Sequence, residues 1–286
     1  MKFAFIRDHL TAYPVEVCCQ TLEVSRAGYY AWRDRPQSPR QARQQVLSAR
    51  ITVVHQENRC VYGSPRICRA LQAAGEKVSE NTVAKVMREL GLCARKKKKF
   101  VPQTTDSRHD HPVAKNLLDR QFTAQRPNSK WVVDITYIPT DEGWLYLSGV
   151  LDLCSRKIVG WSMQDHMQWQ LVGDALEMAR AQRHPPEGLL HHSDRGVQYA
   201  CDDYRKLLLD AGMELSMSHK GDCFDNAVME SFWSTLKTEL VHHERYATRE
   251  QARASIFEYI EVFYNRKRLH SALGYKSPEA FEAGLL

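Results

Sequence analysis

Residues 189–237 read LLHHSDRGVQYACDDYRKLLLDAGMELSMSHKGDCFDNAVMESFWSTLK, and two acids in them, Asp194 and Glu230, are separated by 35 residues. Asp194 follows a short apolar run and sits in a His-Ser-Asp-Arg-Gly turn punctuated by Gly196. Loops at strand ends often carry chemistry, but an Asp in such a turn can equally cap its own backbone. Glu230 falls on a helix expected over 224–240, where Phe232, Leu236 and Leu240 repeat at i, i+4 and i+8 as one apolar stripe. Asn226, Glu230, Ser234 and Lys237 lie close to a second face, because offsets of four and seven nearly complete whole turns. A solvated polar face is the plain alternative for them.

Upstream, residues 131–138 (WVVDITYI) are rich in β-branched and aromatic side chains and read as a buried strand with Asp134 in its middle. A buried carboxylate is costly unless it is paired, hydrogen-bonded or bound to metal. Short turns at 141–143 and 155–157 make strands 131–138, 144–153 and 157–163 an antiparallel meander. Helix 168–182, a short strand near 188–192, a helix near 202–211, a strand near 213–217 and the Glu230 helix follow. Three antiparallel strands and then alternating helices and strands give an α/β fold in the RNase H-like order. Trp144, Trp161 and Trp233 are expected in its core.

The part before residue 126 is helical and basic. Residues 1–110 hold 20 Lys and Arg against 10 Asp and Glu, whereas the rest of the chain holds 20 against 24. That asymmetry suggests a front that grips phosphate backbone and a back that holds cations. Short helices are expected at 15–22 and 26–33, the second capped by Ser25, then a linker at 36–40 and a helix over 40–58. Ser64 and Pro65 open another helix. Ser79 caps a further one over 80–90, stopped by Gly91, with Val83, Val86 and Leu90 inward and Asn81, Lys85 and Arg88 free to face out. This pair fits a DNA-binding helix-turn-helix, plain helical packing being the alternative. Arg95 and Lys96, Lys97, Lys98 and Lys99 form an exposed tether that can follow a DNA backbone or be only a solvated linker. Further on, Thr248 and Gln251 form a capping box for a helix whose apolar face is Ala252, Ile256, Tyr259 and Phe263.

The eight cysteines form no C-x-x-C pair, which argues against a zinc knuckle and a disulfide framework, as does a cytosolic setting. No apolar run approaches a membrane span and no secretory signal is read, so a cytoplasmic, nucleoid-associated protein without membrane contact is expected.

Five segments carry a resemblance: WVVDITYI (131–138), DLCSRKIVGW (152–161), HHSDRGVQY (191–199), KGDCFDNAVMESFWSTLKTEL (220–240) and YNRKRLHSALGYKSPEAF (264–281). Together they resemble bacterial insertion-sequence transposases of the OrfB type, in the superfamily that includes retroviral integrases. The resemblance implies a mixed five-stranded RNase H-like sheet with flanking helices, its first and fourth strands adjacent, preceded by an all-helical helix-turn-helix region. It implies domains at 1–36, 37–94, a linker at 95–125, a catalytic domain at 126–245 and a C-terminal helix with a basic tail at 246–286.

The same resemblance makes Asp134, Asp194 and Glu230 an acidic triad for two Mg²⁺ ions, with Mn²⁺ as a substitute. Asp134 would bridge both ions, Asp194 and Glu230 holding one each. Carboxylates suit a hard cation, and two metals suit phosphodiester cleavage. Water would free a 3′-hydroxyl at the element end, and that hydroxyl would then attack target DNA. Lys237 matches a DNA-contacting position of related integrases. Asn226 would orient Glu230 or touch DNA, His192 and Arg195 would support Asp194 or contact phosphate, Lys220 is a further expected DNA contact in a loop near the site, and Asp152 would serve structure or support the acids from behind. Double-stranded DNA, a homo-oligomer on it and an OrfA-type partner or fusion are the expected partners. A nuclease that only hydrolyses and a non-catalytic DNA-binding regulator are the rival readings.

Overall fold

The computed structural model describes residues 1–9, 12–95, 112–219 and 223–285. Lys96, Lys97, Lys98 and Lys220, expected as DNA contacts, lie outside them. The chain divides into two compact units, Met1–Val53 and Val54–Leu286. Among the described residues no helix is long and apolar enough to cross a membrane.

In the first unit, helices α1 (Lys2–Asp8), α2 (Val15–Thr21) and α3 (Arg26–Arg33) close over Ile6, Cys18, Cys19 and Tyr29. Ser25 caps α3 by accepting the Gly28 N–H at 2.9 Å. Helix α4 (Pro39–Glu57) then leads onward.

The second unit opens with α5 (Ser64–Ala73) and α6 (Glu80–Glu89). The N-cap of α5 is Gly63, not Ser64, whereas Ser79 caps α6 through the Thr82 N–H. Val83, Val86 and Met87 of α6 are buried. Leu90, expected inward, is 42% exposed, because α6 ends one residue before it.

A five-stranded sheet of order β3-β2-β1-β4-β5 follows. Strands β1 (Lys130–Thr140), β2 (Gly143–Asp152) and β3 (Ile158–Gln164) form the antiparallel meander. Strands β4 (Leu190–Ser193) and β5 (Glu214–Met217) extend it in parallel from β1. Between them come α7 (Trp169–Arg183), the short α8 (Val197–Ala200), absent from the sequence reading, and α9 (Asp202–Asp210). The core under this sheet gathers Trp131, Val133, Val150, Leu176, Tyr199, Tyr204 and Met217 among others. Gly160 lets α7 lie flat on β3: a Cβ there would stand 2.2 Å from the Ala175 carbonyl.

A 3-10 turn at Cys223–Asn226 leads into α10 (Ala227–Glu239), which therefore begins three residues later than expected. Helix α11 (Arg249–Phe257) is capped by Thr248, which accepts the Gln251 N–H at 3.2 Å. It passes into a π-helical stretch, Glu258–Tyr264, and the chain ends in α12 (Pro278–Ala283). Asn265, just past the π-helical stretch, bonds both the N–H and the C=O of Ile158 on β3, at 3.0 and 2.9 Å. Arg268 reaches buried Glu239 through two bonds of 2.8 and 2.7 Å. Part of the basic tail thus braces the core.

Candidate active site

Asp134 lies in β1 opposite Gly149 of β2. The parallel register of β1 and β4 runs through Val132 and His192, so two more residues along each chain bring Asp194, just past the end of β4, beside Asp134 in the middle of β1. The Asp134 carboxylate accepts the Ile135 N–H at 2.8 Å and the Trp233 indole N–H at 3.0 Å. Asp194 accepts the Gly196 N–H at 2.8 Å, which tightens the turn after β4.

Glu230 stands on α10, three residues before Trp233, with its side chain exposed. The Trp233 bond therefore ties the helix of the third acid to the first acid. Close approach is what permits it: a Cβ on Gly149 would lie 2.8 Å from Met229 Cε and 2.9 Å from Trp233 Cη2. Glycine is the only residue that leaves this space.

The electrostatics show the acids acting on one another. Burial pushes the Asp134 carboxyl well above the usual range, the Asp194 charge pushes it further, and Glu230 adds to this, against the opposing bonds from Ile135 and Trp233. Burial also raises Glu230. Tyr199, buried beneath the site, is raised by burial and then by the charges of Asp134 and Asp194. Lys237 is lowered by burial, opposed by the Asp134 charge, and its ammonium lies 4.8 Å from the Tyr137 ring centroid. Among the described residues, no three His, Cys, Asp or Glu side chains are already gathered into a group able to hold a metal ion. The site so far is a close pair with a third acid on the adjoining helix.

Several expected contacts turn out otherwise. Asn226 is 6% exposed and donates to the Val133 carbonyl at 2.9 Å, so it fastens the start of α10 to β1 instead of facing DNA. Asp152 is fully buried and accepts from Asn128 N–H, Cys154 N–H and the Trp131 indole. It holds the turn after β2 and does not support the acids. His192 bonds Ser216 and Ser218 at 2.8 and 3.1 Å, linking β4 to β5, and burial pushes its pKa down to about 4. Arg195 donates to the Ser218 carbonyl at 2.7 Å. Trp233 is core as expected, but Trp144 is 48% exposed and stands edge-on to Tyr137. On α6, Asn81, Lys85 and Arg88 are exposed, and Lys85 pairs loosely with Glu89 at 3.9 Å.

Asp225, just before Asn226 and α10, is a buried acid that the sequence reading did not single out. It is buried and accepts from Asn116, Arg120 and both the backbone and ring of His219, at 2.8 to 3.1 Å. Burial works against its charge, but these donors lower its pKa overall. Its place directly before Asn226 in the 3-10 turn was the one available signal.

Residues 124–223 and 211–278 match family models described as Integrase core domain, and residues 41–100 match one described as HTH-like domain. An insertion element IS600 uncharacterized 31 kDa protein of Shigella sonnei is 46% identical over 92% of this chain and 96% of its own length. Transposase InsF for insertion sequence IS3A of Escherichia coli (strain K12) is 43% identical over 99% of this chain and 98% of its own.

The chain belongs to the family of IS3-type insertion-sequence transposases.

As a transposase of this family it is a DNA-acting enzyme of the polynucleotidyl transferase type, with an RNase H-like integrase core and a helix-turn-helix-like region before it. Among solved structures it is similar to a simian T-cell lymphotropic virus intasome in complex with PP2A regulatory subunit B56 gamma, at TM-score 0.48 and 13% identity, over 81% of this chain and 74% of that one. It is also similar to the HTLV-2 integrase catalytic core domain in complex with magnesium, at TM-score 0.42 and 14% identity, over 55% of this chain and 98% of that one. In the transposase, Asp134 sits in the middle of β1 and Asp194 just past the carboxyl end of β4, and Gly149 and Trp233 set how near α10 can bring Glu230.

Proposed function

We propose that Asp134, Asp194 and Glu230 are the catalytic acids of this transposase and that they work with two divalent cations, Mg²⁺ or Mn²⁺. The observation that carries this is the pairing of Asp134 with Asp194 by strand register while Trp233, one turn from Glu230, clamps Asp134 from α10. Like charges so placed repel, and oxygen-only donors suit a hard cation. When bound, the cations supply charge neutralisation and activation of the attacking and leaving oxygens.

The chain's own share is positioning. Asp134 is held at a fixed angle by its two donors. Asp194 is fixed by its turn, and Lys237 brings a positive charge beside the acids to meet the DNA phosphates. In the first step water attacks a phosphorus at the element end, and one P–O bond forms as the bond to the 3′-oxygen breaks. In the second step that 3′-hydroxyl attacks a target phosphodiester, again with one bond made and one broken. The exposed Asn81, Lys85 and Arg88 of α6 contact DNA, within a helix-turn-helix domain at 37–94 that precedes the catalytic domain at 126–245. Joining two ends calls for a homo-oligomer, and an OrfA-type partner or fusion supplies end recognition. The protein acts in the cytoplasm, at the nucleoid.

The test is purified protein, Mg²⁺ and end-containing DNA, scored for nicked and joined products. Asp134→Asn is expected to lose both by about a thousand-fold or more, several kcal/mol of transition-state stabilisation, with DNA binding kept. Full strand transfer by that variant refutes the assignment. Nicking without joining by the wild type favours a purely hydrolytic nuclease.

A further inference from the structure

We propose that a cationic groove beside α10 holds the sugar-phosphate backbone of a single DNA strand leading to the acids. Two adjoining pockets, of about 480 and 310 Å³, form it and share Arg66, Thr235 and Ser271. Four guanidinium groups line them, from Arg66, Arg95, Arg156 and Arg268, against one carboxylate, Glu239.

That carboxylate is already committed. Arg268 binds it through two hydrogen bonds and Tyr259 donates to it at 2.7 Å. Arg66 comes only within 3.9 Å of it. Arg95 donates to the backbone carbonyl of Glu239, and Arg156 to the carbonyl of Phe122 at 3.0 Å. Both acceptors are neutral, so positive charge in the groove exceeds negative. Burial lowers the pKa of Arg66 and Arg156, and the Arg268 charge lowers Arg66 further. Cations crowded into a concave surface favour a polyanion.

The groove's other wall is the hydroxyl-bearing face of α10, with Ser231, Ser234, Thr235 and Thr238. Hydroxyls and arginines are the usual partners of phosphate oxygens. Ser231 directly follows Glu230, about 100° around the helix, so the groove runs along the flank of the catalytic face. Pockets of this size accommodate a short stretch of one backbone. The strand's destination rests on the catalytic reading above; the groove's affinity for a strand does not.

The test measures binding of the full chain to a short fluorescein-labelled single strand and to the matched duplex, in EDTA, across a salt series. Arg66→Gln and Arg156→Gln are each expected to flatten the single-strand salt dependence by about 0.7 in log–log slope. Ser231→Glu, at an exposed helical position that tolerates Glu, is expected to weaken single-strand binding about tenfold by like-charge repulsion with phosphate. Melting curves confirm that each variant is folded. A flattened slope in either arginine variant together with weaker binding by Ser231→Glu supports the groove, and any other result with folded protein, including losses confined to the duplex, overturns it. The assay holds no divalent cation and reads no cleavage, so a failed catalytic assignment and a failed groove are told apart.

Discussion

Two buried charge clusters lie in the same unit and are built on opposite rules. Around Glu239, opposite charges meet: Arg268 and Glu239 are 5% and 6% exposed, joined by a bidentate bond and completed by the Tyr259 hydroxyl. Despite burial, the Glu239 bonds raise the Arg268 pKa. Around Asp134, like charges meet, and burial with the Asp194 and Glu230 charges pushes the carboxyl up. The first cluster satisfies itself and serves as structure. The second sets like charges against one another with Lys237 nearby, an arrangement that perturbs carboxylates strongly.

The comparison can be broken in four ways, the first having the largest effect. Glu239→Gln leaves Arg268 buried without its counter-charge, and should cost about 3–5 kcal/mol of stability. Chemical denaturation measures it, and the double variant Glu239→Gln with Arg268→Met should recover most of the loss. Second, Mg²⁺ at about a hundred times its dissociation constant should stabilise the wild type by about 2.7 kcal/mol. Asp134→Asn should cancel that gain, and the Glu239 cluster should play no part in it; a metal response that survives Asp134→Asn would place the ion elsewhere.

Third, Gly149→Ala forces a Cβ against Met229 and Trp233, and should cost about 1–3 kcal/mol by overpacking. Because the clash lifts α10 from Asp134, strand transfer should fall in variants and temperatures where the protein is still folded. The fourth is a pH slope, small over any one step of pH. His191 and His270 are both pushed down to about 3 by burial, from the ordinary histidine value of 6.5. Below about pH 6.5 the unfolded chain takes up protons that the folded chain refuses, so stability falls as pH falls, by about 1.4 kcal/mol per unit for each such histidine. His270→Asn should remove one proton's share of that slope in denaturation curves taken between pH 6 and 4.

The strand order was readable because WVVDITYI and the two turns after it have a plain period and plain punctuation. The resemblance placed Asp134, Asp194 and Glu230, and the register of β1 with β4 then set two of them together. What stayed hidden was the partner of each polar group. Nothing in the spacing tells that Asn226 turns in to Val133 and not out to solvent, since both choices lie on one helical wheel. For Asp152 the sequence leaves support of the acids and a structural role both open, and its donors, from Asn128, Trp131, Cys154 and Ser155, decide for structure. Trp144 and Trp233 have the same composition signal, yet one lies at the start of β2, half exposed, and the other on the buried face of α10. The π-helical stretch had no signal either, because its apolar face still reads with helical spacing.

Asn265 mimics a neighbouring strand with its amide, filling the hydrogen-bonding positions of Ile158 on the outermost strand. An exposed strand rim invites sheets from other molecules to dock edge to edge. Here the polypeptide plugs part of its own rim, so self-association through β3 would first have to evict a side chain.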